Sequence, residues 1–202
     1  MNRYGLVLKS GSNKKLLTYF SKRSISRKLS ASSVETGGIQ ILAAFALSDD
    51  SINQYSNDGV VVLRGLFTSQ MELIAEAIDQ NMASPGPYAA ENLLPGEQGR
   101  FFDDYCNWQR LPALREVIYT SDAGRVAAAL MRSRTAQLFH DHVLVKEPGT
   151  AKPTPWHQDS PYYFVDGAQT LSFWIPVEPV EDATLRCVKG SHKWDKPVLP
   201  TR

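Results

Sequence analysis

The sequence predicts an α+β domain in which N-terminal helices pack outside a β-sandwich or barrel. Apolar residues recur at helical spacing up to about residue 132, and from Thr135 onward short alternating or apolar runs are separated by turns. With 202 residues there is length for one domain with a substantial core, and there are no internal repeats.

The N-terminus is set apart by charge. Eight Lys/Arg (Arg3, Lys9, Lys14, Lys15, Lys22, Arg23, Arg27 and Lys28) precede Val34 with no Asp or Glu among them, and Ser is frequent. A basic, acid-free, serine-rich stretch has the composition of a transit peptide or of a disordered arm, so residues 1–45 are expected to stay outside the fold and residues 46–202 to form the domain. An intracellular location is expected, mitochondrial if that stretch is a transit peptide and otherwise cytoplasmic. Cys106 and Cys187 are too few for a disulfide framework, which fits a reducing compartment. A formal net charge of +1 gives no general attraction to nucleic acid. The longest apolar-rich run, residues 39–47, is far short of the roughly 20 residues that span a bilayer. Oligomeric state is not legible.

Within the domain, Leu47-Ser48-Asp49-Asp50 suits a helix start, and Asn57-Asp58-Gly59 a turn before a buried strand at residues 60–63. Ser69 and Glu72 have capping-box spacing, and Met71, Ile74, Ala75 and Ile78 recur on one helical face, predicting a helix over residues 69–82 that Pro85-Gly86-Pro87 ends. Residues 84–110 read as a long loop rich in Gly, Pro and aromatics, fit to line a pocket mouth or to pack across the core. Asp103-Asp104 within it reads as surface. Short helices are expected near residues 113–119 and 123–132, and strands over residues 137–147, 152–163, 170–177 and 185–188.

The chemistry concentrates in Pro155-Trp156-His157-Gln158-Asp159. In an extended segment residues i and i+2 project to one side, so His157 and Asp159 can reach one metal ion from a single stretch of backbone. An imidazole and a carboxylate are two thirds of the 2-His-1-carboxylate face that holds non-haem Fe(II). Trp156 and Ser160-Pro161-Tyr162-Tyr163 would wall the pair off from water.

These residues carry a family resemblance. Lys146-Glu147-Pro148-Gly149-Thr150 with Pro153-Thr154-Pro155-Trp156-His157-Gln158-Asp159 resembles the first ligand strand of the phytanoyl-CoA dioxygenase (PhyH) family. Leu171-Ser172-Phe173-Trp174-Ile175-Pro176-Val177 is similar to its next core strand. Lys189-Gly190-Ser191-His192 is similar to its Pro-Gly-Ser-His turn, with Lys189 in the proline position, and Asp58 to Gly65 resembles its opening strand. The resemblance implies a double-stranded β-helix (jelly-roll) core and an Fe(II)- and 2-oxoglutarate-dependent dioxygenase that uses O2 on a small organic or acyl substrate. It makes His157 and Asp159 iron ligands and places Gln158 and Trp174 near the iron or the co-substrate. Lys146, on its strand, is a candidate pocket cation. The family's second histidine ligand and its 2-oxoglutarate-binding arginine fall several tens of residues beyond the turn, past Arg202, so the jelly roll is expected to be incomplete at its C-terminus.

Two other readings follow from the residues. A jelly-roll protein lacking the distal His and Arg would bind a ligand without catalysis. His140 and His142, another i, i+2 pair, would join His157 in a cupin-like site. His192 reads as a turn histidine bonded to backbone.

Overall fold

The computed structural model describes residues 3–11, as backbone, together with 44–150, 153–165, 167–180 and 184–199. Five strands form one antiparallel sheet in the order β2-β3-β4-β1-β5, where β1 is Arg3–Gly11, β2 Ala90–Glu91, β3 Phe101–Tyr105, β4 Gln137–Lys146 and β5 Thr170–Pro176. Four helices accompany it: α1 (Asp49–Asp58), α2 (Met71–Ala83), α3 (Pro112–Thr120) and α4 (Ala123–Leu130).

Helices and sheet meet in one core. Ile74 and Ile78 of α2, Leu114 and Val117 of α3, and Val126 of α4 are buried with Phe102, Val143, Val145, Leu171 and Ile175 from the strands. Along β4, Asp141, Val143 and Val145 face this core, so His140, His142, Leu144 and Lys146 project from the other side of the sheet. Among the described residues the four helices bury their apolar side chains on the core side, which leaves the second, helix-free face to carry the polar residues of interest.

β1 corrects the reading that set residues 1–45 outside the fold. Its backbone pairs with β4 from Arg3↔Lys146 to Gly11↔Gln137 and with β5 from Gly5↔Pro176 to Gly11↔Thr170. Among the described residues β4 and β5 are joined only through it. Composition over 34 residues hid a short apolar run, Leu6-Val7-Leu8, which a central strand tolerates on both faces. Cleavage within residues 12–45 would sever this strand from the rest of the domain. The remainder of the expected leader lies outside the described residues. Val7→Pro, which removes a ladder donor in mid-sheet and leaves its acceptor unpaired, is expected to cost about 1–3 kcal/mol, read as a lower midpoint in urea denaturation. An unchanged midpoint would remove β1 from the sheet.

Other expectations shift in register or in kind. The helix expected to start at Ser69 begins at Met71 after a 3-10 turn, Thr68–Gln70, and no side-chain cap forms there. Residues 60–63 form no strand; Val61 and Leu63 pack on the core while Val62 points to solvent, an alternating segment that finds no ladder partner. The long loop over residues 84–110 contains β2 and β3, and Phe102 is fully buried. Asp103-Asp104 is not surface: Asp104 is completely buried. Residues 185–188 are irregular. The turn that follows does clamp α1: Gly190 N–H donates to the Asp58 carbonyl at 2.9 Å, Lys189 Nζ pairs with Asp58 Oδ2 at 2.9 Å, and His192 Nε2 donates to the Ser56 carbonyl at 3.2 Å. Gly59, which ends α1 at φ +80°, must be glycine twice over, because a Cβ there would collide with the His192 ring.

The result is an α+β architecture with one antiparallel sheet. No second sheet facing it occurs among the described residues.

Candidate metal centre

Residues 153–158 do not form the expected strand, and Asp159 already has helical dihedrals, φ −73° and ψ −32°, as the cap of a 3-10 turn, Ser160–Tyr162. Prolines 153 and 155 supply no backbone donors for a ladder, and Pro161 starts the turn. Even so, His157 Nε2 lies 3.3 Å from Asp159 Oδ1. The backbone route differs from an ideal strand, but the two side chains reach the same point.

Each partner is oriented from behind. His157 Nδ1 lies 2.8 Å from the Pro155 carbonyl oxygen, which can only accept, so Nδ1 carries the proton. In the neutral ring Nε2 is then a lone pair aimed at a carboxylate oxygen. The 3.3 Å approach is bridged equally well by a proton on Nε2, as an ion pair, or by a metal cation between the two atoms. That separation spans two neighbouring ligands on one ion with bonds of about 2.1 Å. Asp159 Oδ2 is occupied separately: Tyr163 Oη donates to it at 3.1 Å and Ser172 Oγ at 3.2 Å, and the two hydroxyls lie 2.9 Å apart. Burial, and then the Asp159 charge, hold the Tyr163 phenol well above its ordinary range, so it stays a donor. An imidazole locked by a carbonyl and a carboxylate locked by hydroxyls are what metal ligands ordinarily require around them. An imidazole nitrogen and a carboxylate oxygen are two of the three donors of a non-haem Fe(II) face, so the pair is compatible with that ion.

The segment itself is fastened by Gln158. Its Nε2 donates to the Ser191 carbonyl at 2.7 Å, its Oε1 accepts from Val198 N at 3.0 Å, and its backbone N–H donates to the Val198 carbonyl at 2.9 Å. Both ends of the amide are thus committed to backbone.

The remaining candidates distribute along the helix-free face. His140 and Ser172 are both register partners of Lys9, and His142 and Trp174 are both partners of Val7. Trp174 therefore stands one pair along β5 from the serine that holds Asp159. Lys146 is six residues along β4 from His140, roughly 20 Å of strand, with Nζ 5.0 Å from the Phe101 ring centre. The sheet keeps it away from the pair. Trp156 and Tyr162 are both more than half exposed, the Tyr162 ring standing edge-on to His157 at 6.1 Å, and Tyr163 turns inward.

His140 and His142 have separate partners. The His142 ring stacks on Tyr105 at 4.0 Å, and its Nε2 lies 3.5 Å from Asp103 Oδ2. Burial raises the Asp103 pKa, but the bonds from His142 and Asn92 outweigh it and leave the carboxyl below its ordinary value. Burial and the Asp103 charge push the Tyr105 phenol up to about 12. Because the folded pKa of Asp103 is depressed, its stabilisation is full above the unfolded value of about 3.9 and is lost as pH falls through the folded value. Asp103→Asn is expected to flatten the acid limb of the stability–pH curve below about pH 4, measured by urea midpoints. Among the described residues no group of three His, Cys, Asp or Glu gathers to hold one ion. The cupin-like set of His140, His142 and His157 is therefore not assembled.

A family model for phytanoyl-CoA dioxygenase (PhyH) matches residues 55–202. The chain belongs to that family. The match covers the His157–Asp159 segment, strands β2 to β5 and the Lys189–His192 turn, and leaves out β1. No curated protein and no solved structure matches the chain. PhyH membership makes a dioxygenase-type enzyme the broad class. Among the described residues no helix is long and apolar enough to cross a membrane.

Sequence reasoning does not single out Ser172, and it reads Asp103 as surface. In Phe101-Phe102-Asp103-Asp104-Tyr105 each face of the strand receives one Phe and one Asp, a pattern without hydrophobic alternation. Ser172 falls within an apolar strand, and its place between Leu171 and Phe173 signals a polar side chain on the face opposite the core.

Proposed function

We propose that this chain is the Fe(II)- and 2-oxoglutarate-dependent part of a PhyH-type dioxygenase that hydroxylates a small organic or acyl substrate with O2. The observation that carries the reading is the 3.3 Å approach of His157 Nε2 to Asp159 Oδ1, each held from behind. The bound iron would supply the redox chemistry with O2 and 2-oxoglutarate that C–H hydroxylation requires. The protein's share is to present one neutral imidazole and one carboxylate at a fixed spacing and to leave the remaining positions for other donors. Trp174 would flank the co-substrate, and Lys146 would offer a cation on the same face to an anionic group. Gln158 would serve by holding the ligand segment in place. The five-stranded sheet is read as one wall of a double-stranded β-helix whose polar inner face is the helix-free one. The free, exposed Cys106 and Cys187 support an intracellular setting.

The test is anaerobic loading with Fe(II), then O2 and 2-oxoglutarate, with succinate as the readout. Succinate that depends on both iron and His157 is expected. A second reading, a jelly-roll binding protein without turnover, draws on the lack of a three-residue metal group among the described residues. It would stand if iron bound stoichiometrically and no succinate formed.

A further inference from the structure

Resting on the iron-site reading above, we infer that Tyr163 and Ser172 are positioning residues that make Asp159 a ligand through Oδ1 alone. Three oxygens form a closed triangle: Tyr163 Oη to Asp159 Oδ2 at 3.1 Å, Ser172 Oγ to the same oxygen at 3.2 Å, and Oη to Oγ at 2.9 Å. Both hydroxyls have a proton to give and the carboxylate has none, so charge on Asp159 is drawn towards Oδ2 and that oxygen's lone pairs are engaged. Oδ1, the oxygen facing His157, is left as the donor. A carboxylate without this anchor can rotate about its Cβ–Cγ bond and offer both oxygens, which would consume a position that a co-substrate or O2 needs.

The fold builds the anchor from two separate elements. Ser172 sits on β5, on the face opposite the buried Leu171, so the strand fixes its height above the sheet. Tyr163 follows the 3-10 turn that Asp159 caps, and Tyr162 N–H closes that turn on the Asp159 carbonyl at 2.9 Å. The Tyr163 ring is then held by an irregularity in the sheet. The β1–β4 register jumps between Lys9↔His140 and Ser10↔Leu138, leaving Phe139 without a partner in β1. The Phe139 ring packs edge-on against Tyr163 at 5.0 Å, and His140 meets the same ring at 6.4 Å. Bulges re-aim side chains beside functional sites, and here the re-aimed residue buttresses the tyrosine. Ring packing and hydroxyl bonding are therefore separable: phenylalanine keeps the first and removes the second.

The experiment titrates Mn(II) and Co(II) into wild type, Tyr163→Phe, Ser172→Ala, the double variant and Asp159→Ala. Tyr163→Phe is expected to weaken Mn(II) binding about 10- to 100-fold, as loss of a supporting hydrogen bond to a metal ligand does. Ser172→Ala is expected to act in the same direction, Ser172→Thr to retain wild-type affinity, and the double variant to fall short of the product of the singles because both act through one oxygen. The Co(II) visible spectrum is expected to change shape in Tyr163→Phe, reporting two-oxygen binding by Asp159, which a merely structural loss would not produce. If Tyr163→Phe fails to fold, Ser172→Ala at its exposed position reads the same oxygen. Unchanged affinity and spectrum in both single variants, with binding abolished in Asp159→Ala, would overturn this inference and leave the iron reading standing. Absence of any binding in wild type would overturn both.

Discussion

Asp159→Ala is expected to abolish iron-dependent succinate formation and to weaken Fe(II) binding by more than about 100-fold, beyond what losing a supporting contact costs. The carboxylate is one of two donors that converge, so its removal leaves His157 Nε2 facing a void and the hydroxyls of Tyr163 and Ser172 facing each other. Asp159→Asn separates charge from shape. The amide can still accept from Tyr163, but its neutral group neither balances a divalent cation nor accepts at both ends, so it should resemble alanine in iron affinity while folding like wild type. His140→Ala is expected to retain iron binding, since His140 meets the Tyr163 ring only at its edge, at 6.4 Å, and Phe139 keeps that ring in place. If His140→Ala lost the iron and Asp159→Ala kept it, the cupin-like set would replace the His157–Asp159 pair.

The largest effect on stability is expected at Asp104, away from the candidate centre. Its carboxylate is fully buried and accepts from Asn81 Nδ2 at 2.7 Å and from the Gly86 N–H at 2.7 Å, tying α2 and the turn after it to β3. Arg110 stands 4.0 Å away and is the nearby cation. Gly86 approaches so closely that a Cβ there would come within 2.5 Å of Asn107 Oδ1. Asp104→Ala strands the buried Asn81 amide, removes the acceptor of the Gly86 and Tyr105 N–H groups and leaves a cavity, for a loss of about 3–5 kcal/mol. That is a large part of the roughly 5–15 kcal/mol by which domains of this kind are stable. A urea midpoint lowered accordingly, with metal affinity retained in the fraction that stays folded, is the expected result. A loss below about 1 kcal/mol would mean water reaches the carboxylate.

Asp141 is arranged differently although it is equally buried. It accepts from the backbone N–H groups of Asn107 and Trp108 at 3.0 and 2.9 Å, and burial, the dominant influence, raises its pKa. A raised carboxyl pKa means the folded state favours the neutral form, so this group's penalty is felt above its folded pKa and relieved as pH falls through it. It therefore opposes the trend set by Asp103.

The periodic parts of this fold were legible. Helical spacing over Met71, Ile74 and Ile78 marked α2, and the runs at residues 137–147 and 170–177 fell within a residue of β4 and β5. What composition obscured was β1, because eight basic residues outvoted three consecutive apolar ones when the segment was judged as a whole. β3 was lost for the opposite reason: its Phe-Phe-Asp-Asp-Tyr pattern has no period of two, since the buried Asp104 bonds inward as the buried Phe102 packs inward. The His157–Asp159 pair was placed by strand alternation, yet the local backbone is a Pro-stiffened coil entering a 3-10 turn. Convergence survives that change because the two side chains are positioned by Pro155, Tyr163 and Ser172 and not by a ladder. Those partners lie in long-range contacts that no spacing rule encodes.

The most direct test is crystallographic: Mn(II) soaked into crystals of the protein, located by its anomalous scattering. One peak within about 2.3 Å of both His157 Nε2 and Asp159 Oδ1 is expected, with Asp159 Oδ2 still bonded to Tyr163. A peak on His140 and His142 with none between His157 and Asp159, or those two side chains turned apart once the ion is present, would contradict it.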